Sequence, residues 1–190
     1  MTKDITALDI PIADPMPEDI QRYYDVCLDK LDMVPNVLAA YGFEPDRLRG
    51  FSQMYNALML GASDLTKAER EMIAVAVSAH NSCHYCLVAH GAALRNLTGD
   101  AKLADTIAAN YRHADLTSGQ RAMLDFAIKV TRSSAEIDES DRDALRDAGW
   151  SDRAIWDIAE VAAFFNMSNR MSSAVAMRPN DEYYGMARGK

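Results

Sequence analysis

Residues 66–90 read T-K-A-E-R-E-M-I-A-V-A-V-S-A-H-N-S-C-H-Y-C-L-V-A-H. Thr66, with Glu69 three places later, forms a capping box, in which the two side chains satisfy orphan amides at a helix start. The mainly apolar run from Met72 to Val77 follows, so a helix is predicted over about 67–79. Asn81 and Ser82 stop it, because both serve caps better than helix interiors, and a new helix is expected from Cys83. At ~100° per residue, Cys83, Cys86 and His90 then share one stripe roughly 60° wide. Helix, break, helix, with two sulfurs and an imidazole on the second, sets both the fold class and the chemistry to look for.

The pattern continues outward. L-T-S-G-Q-R at 116–121 repeats the capping device with Thr117 and Gln120, opening a helix over about 118–132. Trp150-Ser151-Asp152 begins another, with Ile155, Ile158, Ala162 and Phe165 among its apolar positions. Upstream, Ile20, Tyr24, Cys27, Leu28 and Leu31 recur at helical spacing until Pro35 interrupts them. Further helices are expected over about 36–43 and after Pro45, the latter with Leu48, Phe51, Tyr55 and Leu58 on its apolar face. Residues 1–16 read as an extended arm, since Ile5, Leu8, Ile10 and Ile12 alternate with polar residues and prolines. Such an arm lies on something else, a neighbouring subunit included. Strand signals are nearly absent. The expectation is an all-α fold: one domain over 17–190, about eight helices in antiparallel pairs on short loops.

Composition narrows the function. Of the 190 residues 49% are apolar, enough for a substantial core, and the net charge of −8 leaves no excess of Lys and Arg for phosphates. Nucleic acid and anionic membrane are therefore not expected partners. No apolar run approaches the ~20 residues of a membrane helix, and acidic residues occupy the place of a secretory signal's apolar stretch. The cytoplasm is the expected compartment. Three cysteines make no disulfide framework, and two of them at C-x-x-C in a reducing compartment suggest a working pair.

A thiol at the first turn of a helix sits among free amides at the positive end of the dipole, which favours thiolate. The i, i+3 spacing brings the Cα atoms of Cys83 and Cys86 to ~5 Å, within reach of a reversible disulfide. His90, four residues beyond Cys86, is placed to accept its proton. Glu71 either suits the start of its helix as a surface carboxylate or turns inward, where desolvation would make it a base. Other readings stand beside these. The two cysteines could be small buried hydrophobes. A zinc set of His80, Cys83, Cys86 and His90 is disfavoured because one helical stripe cannot wrap a tetrahedral ion. Haem attachment requires histidine directly after the second cysteine, where this chain has Leu87. No metal and no nicotinamide or flavin fingerprint is expected, so no cofactor is assigned. His80 and His84 read as rim residues, Tyr85 as packing or pocket, and Cys27 as core. Asn166, Asn169 and Arg170, in an otherwise apolar run, line either a subunit interface or the pocket.

The pattern E-x11-C-x2-C-x3-H on Glu71, Cys83, Cys86 and His90 resembles the alkyl hydroperoxidase D (AhpD)-like family, especially its peroxidase-related branch. N-x-C-x-Y-C lies inside it and L-T-x-x-E-R-E before it, and the likeness runs from about Val34 to Tyr184. The resemblance implies an AhpD-like helical bundle, assembled as a homotrimer or homohexamer. It implies reduction of (alkyl) hydroperoxides by the cysteine pair, a peroxiredoxin-type activity, with Glu71 and His90 as proton relay and no metal or haem. Cys86 would attack the peroxide and Cys83 would resolve the sulfenic acid. Electrons would come from a dithiol donor of lipoyl or thioredoxin type. This chain departs at one place: the family's peroxidases carry histidine directly before the second cysteine, where Tyr85 stands here, with His84 one place earlier. A relay would then pass through the phenol or water. Carboxymuconolactone decarboxylases resemble the fold but lack the cysteine pair, so a lyase working without sulfur is one alternative. A redox-responsive, non-enzymatic oligomer is another.

Overall fold

The structure is a computed structural model describing residues 4–188; positions 1–3 of the expected arm and 189–190 lie outside the described residues. In chain order the α-helices are α1 (Glu18–Leu31), α2 (Asn36–Ala40), α3 (Pro45–Leu60), α4 (Lys67–His80), α5 (His84–Thr98), α6 (Ala101–Asn110), α7 (Ser118–Ser133), α8 (Glu139–Asp147), α9 (Asp152–Ala174) and α10 (Glu182–Gly185). No strand occurs among the described residues. The fold is all-α, as the periodicity predicts. The count exceeds the expected eight: α2 falls in the expected 36–43 stretch, whereas α10, of four residues, is too short for a periodic signal.

α4 organises the rest. Every residue from Arg70 to Ser78 is buried, as for a helix surrounded on all sides. α5, α6, α7 and α9 pack around it, and Ala74 and Ala76 let their backbones approach. The main apolar cluster gathers Ile73, Val75 and Val77 of α4 with Leu94, Leu124, Ile158 and Phe165. Each such side chain stabilises the fold by about 1.5–3 kcal/mol through burial. Arg70 is a buried cation whose Nη1 donates to Leu58 O and Gly61 O, both at 2.9 Å. It thereby satisfies orphan carbonyls at the end of α3.

The capping residues behave as read. Thr66 and Glu69 form the reciprocal box on α4, Thr117 and Gln120 on α7, and Ser151 caps α9. A third box, Asp138 with Asp141 on α8, uses acidic residues at both positions. A second apolar cluster surrounds Cys83, Tyr85 and Cys86 with Met33, Met177 and Tyr183. A third joins Ile20 and Cys27 of α1 to Leu38 and Leu48. Buried Arg95 pins α10 over α5 through Tyr183 O (2.9 Å) and Met186 O (3.0 Å).

The described part of the arm lies on its own chain. Ala7 N–H donates to Val175 O, Arg178 N–H to Ile5 O, both at 2.8 Å, and Ala13 N–H to Gly42 O at 3.0 Å. Among the described residues no helix is long and apolar enough to cross a membrane.

Candidate active site

The break between α4 and α5 is a left-handed helix cap. Ser82 takes φ +53°, and Cys83 N–H reaches back to Ser78 O at 3.0 Å, the bond of a Schellman turn. Cys83 is thereby the N-cap of α5, one residue before the helix that was expected to begin with it. The end of α9 repeats the device: Ala176 has φ +50° and Met177 N–H donates to Ser172 O at 2.9 Å. Both left-handed residues line the same small pocket, of about 260 Å³, onto which Cys83 opens beside His84, Ser173 and Arg178.

Both thiols are free and only 1% exposed. Their electrostatics are opposite. The Cys86 thiol and backbone amide, beside the first turn of α5, pull the Cys83 thiol down to about 6, with Ser173 and His90 adding to the effect. The Cys83 charge, burial and mutual repulsion hold the Cys86 thiol far above the usual range, against the Asn169 and Ser172 side chains that favour its ionisation. The pair therefore shares one proton, with the resting charge on Cys83. The resemblance gives first attack to Cys86; the charge falls on the other sulfur, because the Cys86 thiol donates to Cys83 and the Cys86 amide of the helix start adds to it.

Cys86 Sγ lies 3.9 Å from Ser172 Oγ. Asn169 Nδ2 donates to Ser78 Oγ (2.9 Å), and Asn81 Nδ2 donates to Asn169 Oδ1 (2.9 Å) and Asn166 Oδ1 (3.0 Å). Arg170 Nη1 donates to Asn166 Oδ1 at 2.7 Å. The polar residues of α9 thus clamp the turn that carries Cys83, while Asn166, Asn169 and Arg170 line neither of the two cavities. Ser172, which sequence reasoning missed, follows Asn166 and Asn169 at intervals of three, a helical stripe that could have revealed it.

Glu71 is turned inward, 5% exposed, with Oε2 2.7 Å from His90 Nδ1. When the carboxylate is ionised, Nδ1 must donate, and Nε2 is left as the acceptor of a neutral imidazole or the second donor of an imidazolium. His90 packs edge-on against Phe165 at 4.5 Å between ring centroids and lies 6.3 Å from Tyr55. Among the described residues, no hydrogen bond joins Glu71 or His90 to either sulfur. The pair instead lines a cavity of about 590 Å³ walled by Leu38, Phe51, Met59, Phe164 and Tyr183. Tyr55 and Tyr183 were not anticipated as site residues, since each also fits an ordinary helical apolar stripe.

Tyr85 is buried, and its hydroxyl accepts the Val37 N–H at 3.1 Å. Burial pushes that hydroxyl well above the usual range, and it has no hydrogen bond to Glu71, His90 or sulfur, so it is a wall of the site. His84 is exposed, with Nε2 2.9 Å from Tyr184 Oη. His80 is exposed, and Cys27, in the core as read, also lines the larger cavity. Among the described residues no group of three or more His, Cys, Asp or Glu side chains is placed to hold a metal ion.

Fold and site together define an all-α protein with a reduced C-x-x-C pair at a helix start and a buried carboxylate–imidazole pair nearby. The family model of the carboxymuconolactone decarboxylase family matches residues 45–133. A peroxidase-related protein from Silicibacter sp. TM1040 is 59% identical, with a TM-score of 0.95 and 97% of each chain covered. A peroxidase-related protein with an alkylhydroperoxidase AhpD core, from Ralstonia eutropha JMP134, is 47% identical, with a TM-score of 0.94 and the same coverage. The debrominase Bmp8 shares the fold at 18% identity, with a TM-score of 0.77 over 93% of this chain and 94% of that one. No curated protein matches the chain. The chain belongs to the AhpD/carboxymuconolactone decarboxylase superfamily, in its peroxidase-related branch.

Proposed function

We propose that the protein is a cysteine-based peroxidase and thiol–disulfide oxidoreductase that reduces organic hydroperoxides. The observation that carries this reading is the pair of free thiols one helical turn apart, with Cys83 at the N-cap of α5 and facing the small pocket; the pull of Cys83 towards ionisation by its neighbour agrees with it. The thiolate is the nucleophilic form of cysteine. In this reading Cys83 attacks the distal peroxide oxygen, the O–O bond breaks, and the alcohol leaves with a proton. The Cys83 sulfenic acid then loses water as Cys86 closes the disulfide. One hydroperoxide and two thiols give one alcohol, one water and one disulfide. A second dithiol, of lipoyl or thioredoxin type, returns two electrons and two protons by exchange through a mixed disulfide. Glu71 and His90 act as the proton relay, and assembly into a homotrimer or homohexamer belongs to the same proposal.

Stopped-flow mixing of the reduced protein with cumene hydroperoxide is expected to consume two thiols per peroxide. Cys86→Ser should accumulate sulfenic acid at Cys83, whereas accumulation at Cys86 in Cys83→Ser would return first attack to the sulfur the resemblance favours. Equal peroxide consumption by the double Cys→Ser variant would sink the thiol reading. A second reading has one observation behind it: the Glu71–His90 pair lines an apolar cavity that neither Cys83 nor Cys86 lines. That geometry suits a lyase of the carboxymuconolactone decarboxylase kind, and turnover of a lactone acid by the same double variant would favour it.

A further inference from the structure

Tyr85 touches two chambers. The residue lines the cavity that holds Glu71 and His90, and also the small pocket onto which Cys83 opens. Glu71 and His90 do not line the smaller pocket, and Cys83 and Cys86 do not line the larger cavity. The ring is held from several sides. Its hydroxyl takes the Val37 N–H and faces the Tyr183 hydroxyl, while its body packs with Cys83, Cys86 and Met177.

The larger chamber has the make-up of a small-molecule site. Its volume, about 590 Å³, falls inside the ~300–1,000 Å³ usual for ligand pockets. Among the described residues, His90 Nε2 and the Tyr55 hydroxyl have no hydrogen-bond partner. Among the same residues no buried side-chain nitrogen or oxygen is left unsatisfied, so both atoms open on the cavity. The neutral imidazole accepts there and the phenol donates. A hydroxyl or hydroperoxyl head answers both at once, and an apolar body would rest on Leu38, Phe51 and Phe164. Cys27, the third thiol of the chain, lines this chamber as well.

We infer that Tyr85 is the specificity-determining wall of the site: it confines an apolar molecule bearing one hydroxyl or hydroperoxyl head to the Glu71–His90 cavity, apart from Cys83, which meets its reactants through the smaller pocket. The consequence for peroxides rests on the function proposed above. Small hydrophilic peroxides reach the thiolate directly, whereas bulky apolar ones wait for the Tyr85 ring to be displaced.

Two cysteines, one on each chamber, report which is occupied. The reduced full-length chain is alkylated with iodoacetamide, with and without saturating cumyl alcohol, and the carbamidomethyl label at Cys27 and Cys83 is followed by peptide mass spectrometry. Cumyl alcohol is expected to slow labelling of Cys27 about tenfold or more and of Cys83 less than about twofold, as site occupancy dictates. Equal protection of both residues would overturn the inference by making one chamber of two. Absence of protection at Cys27 would overturn it equally, since the cavity would not take such a molecule. Tyr85→Ala should extend protection to Cys83 by about fivefold on the same occupancy argument, while Tyr85→Phe keeps the wild-type pattern. A folded Tyr85→Ala protein with Cys83 still unprotected would remove the wall; if that variant does not fold, the wild-type comparison decides alone. No step requires peroxide. The labelling pattern without peroxide turnover would sink the proposed function and leave this inference standing, and turnover without the pattern would do the reverse.

Discussion

One turn of α5 separates two unlike environments. At its start, Cys83 and Cys86 sit among hydroxyls, an amide and two left-handed helix caps, and the local charge is negative and lies on sulfur. A turn further on, His90 leaves them for Glu71 on α4, in a cavity of aromatic and aliphatic walls. Residues that share a stripe on one helix therefore serve two chambers. The charge on Cys83 is made chiefly by its neighbour Cys86 on the same helix, whereas a buried carboxylate–imidazole pair needs a second helix to hold its other half.

The largest expected effect falls on that carboxylate–imidazole pair. Glu71→Gln or His90→Asn should slow turnover of cumene hydroperoxide by about 10²-fold or more, the usual worth of a placed acid or base. Alkylation of Cys83 by iodoacetamide should barely change in Glu71→Gln and slow only slightly in His90→Asn, where the smallest contribution to the Cys83 charge is lost. If both rates fall together, the two environments act as one and the comparison breaks.

A smaller effect tests the charge on sulfur. The Cys83 thiol is pulled from its usual 9.0 to about 6 by Cys86 and the helix start, so the folded chain is ionised where the unfolded chain is protonated. That stabilisation is complete above about 9, declines as pH falls, and is lost as pH passes below about 6. Above 9, Cys86 works in the opposite direction, because its proton is held more tightly in the folded state. Urea midpoints between pH 6 and 9 should show reduced wild type gaining on Cys83→Ser as pH rises, by at most about 1.4 kcal/mol per pH unit. A pH-independent difference would erase the asymmetry between the two sulfurs.

The smallest effect sharpens the comparison at the caps. Ser82 and Ala176 hold left-handed backbone without being glycine, a conformation costing side-chain-bearing residues about 1–2 kcal/mol. Ser82→Gly and Ala176→Gly should each raise stability by about 1 kcal/mol, read as a higher denaturation midpoint. A loss at either position would mean that its side chain is held by contacts outweighing the backbone strain.

Much of the fold is legible locally. Thr66–Glu69 and Thr117–Gln120 announce helix starts because a capping box is a contact within four residues, needing no tertiary partner. Asn81-Ser82 marks the break for the same reason, and the depressed Cys83 thiol follows first from Cys86 three residues on and then from the amide of the helix start. Other parts needed distant contacts. Asn166 and Asn169 read only as polar interruptions until α9 packs on the α4–α5 turn, 85 to 88 residues away in the chain. Tyr55 carries an apolar helical position, and nothing in its neighbours says that its hydroxyl faces a cavity.

The sequence by itself determined the helices, their caps, the pairing of two sulfurs at one helix start and the proximity of an imidazole to them, because each depends on spacing within about a turn of chain. Only the tertiary structure decided that Glu71 faces inward to meet His90, that this pair opens on a cavity the sulfurs do not line, and that Tyr85 stands between them. Those facts depend on which helix packs beside which. Burial, partners and chambers are properties of surfaces brought together from remote parts of the chain, and no local pattern encodes them.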